Sequence, residues 1–189
     1  MERLPHSAAL LIIDVQRAME QPAWGGPCNN PQAEANIVRL LTAWRASGRP
    51  VYHVRHDSTF ADSPYRPGQT GNEFKPEVAP QQGETVIAKR TNSAFIGTDL
   101  EARLREAGQD TLVVTGVITN NSVEATVRMA GNLGFRTYVV SDATATVDKT
   151  GLDGRRWSAE DVHALALANL HGEYATVIDT AAVLRLAGG

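Results

Sequence analysis

The chain has 189 residues, of which 42% are hydrophobic, with 18 Lys and Arg against 21 Asp and Glu. This profile is typical of one folded domain spanning residues 1–189 and excludes disordered and collagen-like chains. The formal charge of −3 leaves no basic face for nucleic acid, and the longest apolar run, residues 8–13, is far shorter than the ~20 residues of a membrane-spanning helix. Because Cys28 is the single cysteine, no intrachain disulfide can form, so we expect a cytoplasmic location.

Six short apolar runs rich in β-branched residues recur along the chain and predict six strands. The runs cover residues 8–13, 51–54, 85–88, 111–115, 137–140 and 175–178. Their hydrophobicity is continuous rather than alternating, which indicates that both faces of the sheet are covered by helices.

Amphipathic stretches between these runs predict five helices, at about 31–47, 98–106, 122–133, 158–170 and 180–186. Asn30 before Pro31 is typical of an N-cap, and Ser158 begins a stretch with capping-box spacing. Strands alternating with helices predict an α/β fold, a single three-layer doubly wound domain with a mostly parallel six-stranded sheet.

Two segments interrupt this alternation. Residues 55–84 form a Pro- and Gly-rich loop much longer than usual, which is typical of a lid, from this or a neighbouring subunit. Residues 142–157 also resemble a loop and carry several Asp and Arg side chains.

Three candidate residues lie where ligands bind in open parallel sheets, outside the carboxyl ends of strands. Asp14 follows the first predicted strand and Lys89 the third, so they form either a reactive acid–amine pair or a structural ion pair. Ser122 begins the third predicted helix, where unpaired amides favour an oxyanion site, although serine there is also a common N-cap.

Ordered motifs around these residues carry a family resemblance. Residues 116–128 read GVITNNSVEATVR, residues 11–16 read LIIDVQ and residues 89–95 read KRTNSAF. The first resembles the signature Gly-Val-x-Thr-x-x-Cys-Val-x-x-Thr-x-Arg of the isochorismatase-like hydrolases, the cysteine hydrolase superfamily. The third resembles the family's Lys-x-x-x-Ser-x-Phe segment, and the likeness extends through most of the chain.

The resemblance implies a Rossmann-like fold and a Cys/Asp/Lys triad placed here on Ser122, Asp14 and Lys89. In that triad the aspartate takes the nucleophile's proton, and the lysine stabilises charge and orients the aspartate. The peptide between Val117 and Ile118 is expected to be cis, so that the amides of Ile118 and Ser122 face the substrate carbonyl. Relatives form dimers or tetramers, which implies a homodimer or homotetramer here.

Ser122 departs from the family pattern, because it stands where relatives have the cysteine nucleophile. A hydroxyl, unlike a thiol, must lose its proton during attack. Three explanations stay open: an engineered change, a natural serine variant, or chemistry that needs no nucleophile. We therefore expect a hydrolase of a small-molecule carboxamide or related C–N bond. The alternatives are a vinyl-ether (isochorismate-type) hydrolase with Asp14 as general acid, or a catalytically silent binding relative.

Further residues are candidates for the pocket wall, and missing motifs indicate that the pocket holds no metal or nucleotide cofactor. The substrate-binding candidates lie on segments that end at the same edge of the predicted sheet. They are Gln16, Trp24, Asn92, Phe95, Thr119 and Asn121. Nicotinamidase-type relatives bind a metal through an Asp-x-His pair and a later His, whereas residues 54–58 here read VRHDS, so we expect no metal. His53 is interpreted as a strand residue and His56 as a loop residue that can face the cleft. Without a Gly-x-Gly-x-x-Gly or Walker motif, we expect no nucleotide cofactor.

Overall fold

A parallel six-stranded sheet forms the centre of the computed structural model, which describes residues 3–21 and 27–188. Its strands are β1 (Ala9–Ile13), β2 (Val51–His56), β3 (Thr85–Lys89), β4 (Thr111–Val117), β5 (Arg136–Ala145) and β8 (Thr176–Ile178). Every pairing in this sheet is parallel, in the order β3-β2-β1-β4-β5-β8. The predicted α/β fold is thereby confirmed.

The described residues form five α-helices, four between strands and the last after β8: α1 (Ala33–Ser47), α2 (Leu100–Glu106), α3 (Glu124–Asn132), α4 (Ala159–Leu170) and α5 (Thr180–Gly188). Ser158 caps α4 as predicted, since its hydroxyl accepts the N–H of Asp161. The predicted cap of α1 is wrong, because the Asn30 amide instead donates to the carbonyls of Ser141 and Thr144 at 2.9 and 2.7 Å. Helix α1 begins at Ala33, after Gln32, with no side-chain cap.

The helices cover both faces of the sheet and give three layers. Alternate side chains of β1 point to opposite faces: Leu11 packs in one apolar cluster with α2, α3 and α4, and Leu10 packs in another with α1 and α5. Both faces of β1 are therefore buried, which explains its uninterrupted run of apolar residues.

Residues 142–157 are more ordered than the predicted loop. Strand β5 runs through Ala145, and β6 (Lys149–Thr150) pairs antiparallel with β7 (Arg156–Trp157) to form a small hairpin. Two-residue strands of exposed, mostly polar residues carry no period that a sequence pattern can reveal. None of the helices in the described part of the chain has the length and apolar character needed to cross a membrane.

The order of the strands sets the position of the site. Successive connections run outward in opposite directions from β1 and β4, so strand order reverses between these two neighbours. Gly116 lets them approach closely, because it has a φ of +118° and a Cβ there would collide with the main chain of Ile13. The carboxyl ends of β1 and β4 therefore border the crevice in which ligands bind in this class of fold.

Candidate active site

Asp14, Lys89 and Ser122 come together at the carboxyl edge of the sheet. The ammonium of Lys89 donates to Asp14 Oδ2 at 2.6 Å and to Ser122 Oγ at 3.2 Å. All three residues are buried. One ammonium thus joins an acid and a hydroxyl that are 108 positions apart in the sequence, from residue 14 to residue 122.

Each of these side chains is held by the end of an element. Asp14 follows β1 in a left-handed conformation with a φ of 53°, and its N–H donates to the Val54 carbonyl at 2.9 Å. Lys89 ends β3 and reaches past the end of β2, which lies between β3 and β1, and it also donates to the Thr91 carbonyl at 3.1 Å. Ser122 lies in a wide turn, Thr119–Val123, that precedes α3.

Ser122 does not cap α3. The helix begins at Glu124 after Val123, with no side-chain cap, and the wide turn closes through a bond from Val123 N–H to the Ile118 carbonyl at 3.3 Å. The Ser122 hydroxyl instead meets Lys89. The peptide between Val117 and Ile118 is cis, as the resemblance implied.

Burial and the neighbouring cation act in opposite directions on Asp14. Burial raises the pKa of the Asp14 carboxyl, and this effect exceeds the lowering by the Lys89 ammonium, so the net pKa lies above the ordinary value. Oδ1 of Asp14 is buried and has no hydrogen-bond partner among the described residues. Asp14 therefore keeps one oxygen available for a proton.

A cavity of about 180 Å³ opens beside the three residues. Its walls consist of Asp14, His56, Ser58, Phe60, Ser63, Tyr65, Asn92, Val117, Ile118, Asn121 and Ser122. Four of these come from the long loop after β2, so this chain's own loop forms one wall of the cavity. The loop begins after His56 rather than at residue 55, because β2 is longer than predicted.

Of the predicted substrate-binding residues, Asn92 and Asn121 line the cavity, as do Val117 and Ile118 of the predicted cis peptide. Three do not, and each is buried by another contact. Gln16 binds the main chain of His56 and Asn72, Phe95 stacks on Phe135 with ring centroids 5.7 Å apart, and Thr119 Oγ1 lies 2.9 Å from His163 Nδ1. Trp24 lies outside the described residues.

Sequence reasoning missed Ser58, Phe60, Ser63 and Tyr65 as cavity residues. The loop that carries them has no motif or hydrophobic period, and its unusual length was the only signal. The buried Tyr65 forms a T-shaped ring pair with His56, with centroids 5.7 Å apart.

The two histidines of β2 have different surroundings. His53 is fully buried and its Nε2 lies 2.8 Å from Glu84, as expected of a strand residue. His56 lines the cavity, with Nδ1 3.5 Å from Lys89 Nζ. Burial and the adjacent Lys89 charge hold the pKa of His56 below its ordinary value.

Metal-binding groups are not gathered at this cavity. The Asp57 carboxylate, next to His56, accepts from Arg55 at 2.8 Å and Asn72 at 3.0 Å. Within residues 3–21 and 27–188, no three His, Cys, Asp or Glu side chains form a group that could hold a metal ion.

Comparison with known proteins shows which family the chain belongs to. The isochorismatase domain model matches residues 8–182. The solved structure of an isochorismatase-family protein from Chromobacterium violaceum is 57% identical, with a TM-score of 0.96 over 100% of this chain and 97% of that one.

Two curated relatives extend the comparison. YrdC of Bacillus subtilis, an isochorismatase family protein, is 41% identical over 91% of both chains. Nicotinamidase 3 of Arabidopsis thaliana is 30% identical over 94% of this chain and 88% of its own length. By its sequence, its sheet order and these matches, the chain belongs to the isochorismatase family of hydrolases.

Proposed function

We propose that this hydrolase cleaves the C–N bond of a small, uncharged carboxamide, with Ser122 as nucleophile, Asp14 as proton acceptor and Lys89 as the cation that holds both. The observation that carries the proposal is the Lys89 ammonium, which donates to the acid and to the hydroxyl beside one cavity. The similarity to a nicotinamidase supports an amide as substrate.

The hydrogen bonds support proton transfer from Ser122 to Asp14. Since Lys89 donates to Ser122 Oγ, the hydroxyl hydrogen is left for another acceptor, and Asp14 Oδ1 has no hydrogen-bond partner among the described residues. The Ser122 hydroxyl also contributes to lowering the Asp14 pKa, as expected for a donor close to the carboxylate. As Oγ attacks the amide carbon, its proton passes to Asp14, which then protonates the departing nitrogen. Water next hydrolyses the acyl ester, and Asp14 takes and returns the second proton.

Main-chain amides supply the hydrogen-bond donors that stabilise the negative charge developing on the carbonyl oxygen. Ile118, directly before the wide turn that precedes α3, and Ser122, within that turn, both line the cavity. Amides in the first turn of a helical segment lack partners within it, so they are suited to bind the carbonyl oxygen as it becomes an oxyanion.

The charges around the cavity favour an uncharged substrate. The residues lining it include no Arg or Lys, and the adjacent Lys89 already pairs with Asp14. Residues 22–26, which read PAWGG, carry no charge either. A carboxylate-bearing substrate of the isochorismate type would have to lie beside the Asp14 carboxylate with no free cation. The cavity volume of about 180 Å³ suits a small amide.

The nucleophile is tested with three proteins and a panel of small neutral amides. We expect measurable turnover by the wild type, faster turnover by Ser122→Cys because a thiol is the better nucleophile, and none by Ser122→Ala. Mass spectrometry of quenched reactions is expected to show the acyl group on the wild-type or Cys protein. Absence of both turnover and adduct in these two proteins would overturn the proposal.

A second candidate, vinyl-ether hydrolysis, is favoured by the raised pKa and free oxygen of Asp14, which suit a general acid. In that reaction Asp14 protonates the substrate carbon, and water adds to the resulting oxocarbenium ion and returns a proton to Asp14. The hemiketal then breaks its ether C–O bond to give a carbonyl compound and an alcohol, with the hydroxyl proton passing to the departing oxygen and no role for Ser122. Turnover of a vinyl ether that survives Ser122→Ala but not Asp14→Asn would select this candidate over the first.

A further inference from the structure

His56 is held rigidly in the cavity wall by its main chain. Its N–H donates to Gln16 Oε1 at 2.8 Å, and its carbonyl accepts from Gln16 Nε2 at 3.2 Å and Asn72 Nδ2 at 2.9 Å. The ring forms a T-shaped pair with Tyr65. With backbone and ring both constrained, the two ring nitrogens have fixed surroundings.

One of those nitrogens faces a cation. Nδ1 lies 3.5 Å from Lys89 Nζ, and the three ammonium hydrogens have closer acceptors on Asp14, Thr91 and Ser122. A hydrogen on Nδ1 would point at the positive charge, whereas its lone pair is attracted to it. In the neutral imidazole the hydrogen therefore resides on Nε2.

The other nitrogen is free to act on a ligand. His56 lines the cavity, and Nε2 makes no hydrogen bond to any residue that the structure describes. The burial and adjacent cation that lower the His56 pKa keep the ring neutral near pH 7. A neutral N–H donor in the cavity wall suits an uncharged substrate, which is also what the absence of Arg and Lys from the cavity lining favours.

We propose that His56 is a substrate-binding residue that donates a hydrogen bond from Nε2–H to an uncharged acceptor atom of the substrate, with Lys89 fixing its tautomer. The proposal rests on the proposed function for the identity of the substrate. It involves no proton transfer, because Asp14 accepts the nucleophile's proton and His56 keeps its own hydrogen throughout.

Two amide replacements separate the two nitrogens. His56→Gln places an N–H donor near the position of Nε2, and His56→Asn reaches only the position of Nδ1. Against an amide that the wild type or the Ser122→Cys protein hydrolyses, we expect His56→Gln to keep kcat/KM within about threefold. We expect His56→Asn to lower it about tenfold, the loss of roughly one hydrogen bond. Unchanged thermal unfolding midpoints show that both variants fold.

Nuclear magnetic resonance of ¹⁵N-histidine protein tests the tautomer without any substrate. We expect a neutral His56 ring protonated on Nε2 at pH 7, and a hydrogen on Nδ1 would overturn the proposal. Equal losses in the Gln and Asn variants, or full activity in His56→Asn, would also overturn it. Those results differ from failure of the proposed function, in which the wild-type and Ser122→Cys proteins turn over no amide.

Discussion

Removing Lys89 leaves the Asp14 carboxylate buried without its cation. The two side chains are 0% and 6% exposed, and Nζ lies 2.6 Å from Oδ2, so water replaces little of the lost interaction. Lys89→Met keeps most of the volume of the side chain and removes the charge. We expect the free energy of unfolding at pH 7 to fall by about 3–5 kcal/mol, the range for breaking one side of a buried pair.

The deficit is expected to depend on pH with a definite sign. In Lys89→Met only burial acts strongly on Asp14, so its folded pKa rises further above the ordinary value. A carboxyl with a raised folded pKa is most favourable to folding below its unfolded pKa, and that stability is lost as pH rises through the folded pKa. The variant's deficit against wild type is therefore smallest in acid and largest at neutral pH.

Urea unfolding followed by circular dichroism at pH 5 and pH 7 measures both effects. The double variant Asp14→Asn/Lys89→Met carries neither charge. Its loss in free energy of unfolding is expected to be smaller than the sum of the losses of the two single variants by at least about 2 kcal/mol. A Lys89→Met deficit under about 1 kcal/mol, or a double variant whose loss equals that sum, would refute this electrostatic reasoning.

Three further changes have defined consequences. Hydrogen bonds from Arg45 lower the pKa of Glu84 to about 2, so the stability from this carboxylate is lost as pH falls from about 4.5 towards 2. Glu84→Gln is expected to flatten that dependence in urea unfolding between pH 3 and 6. Gln16→Leu leaves main-chain groups of His56 at the end of β2 and of Asn72 in the following loop without their hydrogen-bond partner and is expected to cost about 2–4 kcal/mol and raise KM, measured by urea unfolding and steady-state kinetics. Gly116→Ala places a Cβ against the main chain of Ile13 and is expected to cost at least about 3 kcal/mol or prevent folding, judged by soluble yield and thermal unfolding.

The sheet was predictable from the sequence because its central strands are buried on both faces. In β1 every residue is buried, so the run of apolar residues is unbroken and its meaning is local. The cap of α1 was not predictable, since the Asn30 side chain is bound by carbonyls more than 100 residues away, on Ser141 and Thr144. A local rule cannot anticipate a competing acceptor that the fold brings from so far along the chain.

The site was predictable at the level of segments and less so at the level of side chains. Strand ends share one sheet edge in a parallel sheet, which brought Asp14 near Lys89. The same rule says nothing about side-chain direction. The side chain of Gln16, two residues beyond Asp14, points to the main chain of the loop after β2, and that of Thr119 points to His163 of α4. Neither direction can be deduced from the position of the strand ends.

The wide turn Thr119–Val123 explains why a serine at a helix start is not a cap here. Its extra residue makes the bond from Val123 N–H to the Ile118 carbonyl span five positions, and Glu124 N–H is already paired with the Thr119 carbonyl. The first regular turn of α3 thus begins beyond Ser122. A capping hydroxyl accepts a hydrogen bond from a main-chain N–H of its own helix, whereas the Ser122 hydroxyl accepts one from the Lys89 ammonium at the end of β3. Because the wide turn leaves the Ser122 hydroxyl without a capping role, that hydroxyl can contact a ligand in the cavity that Ser122 lines.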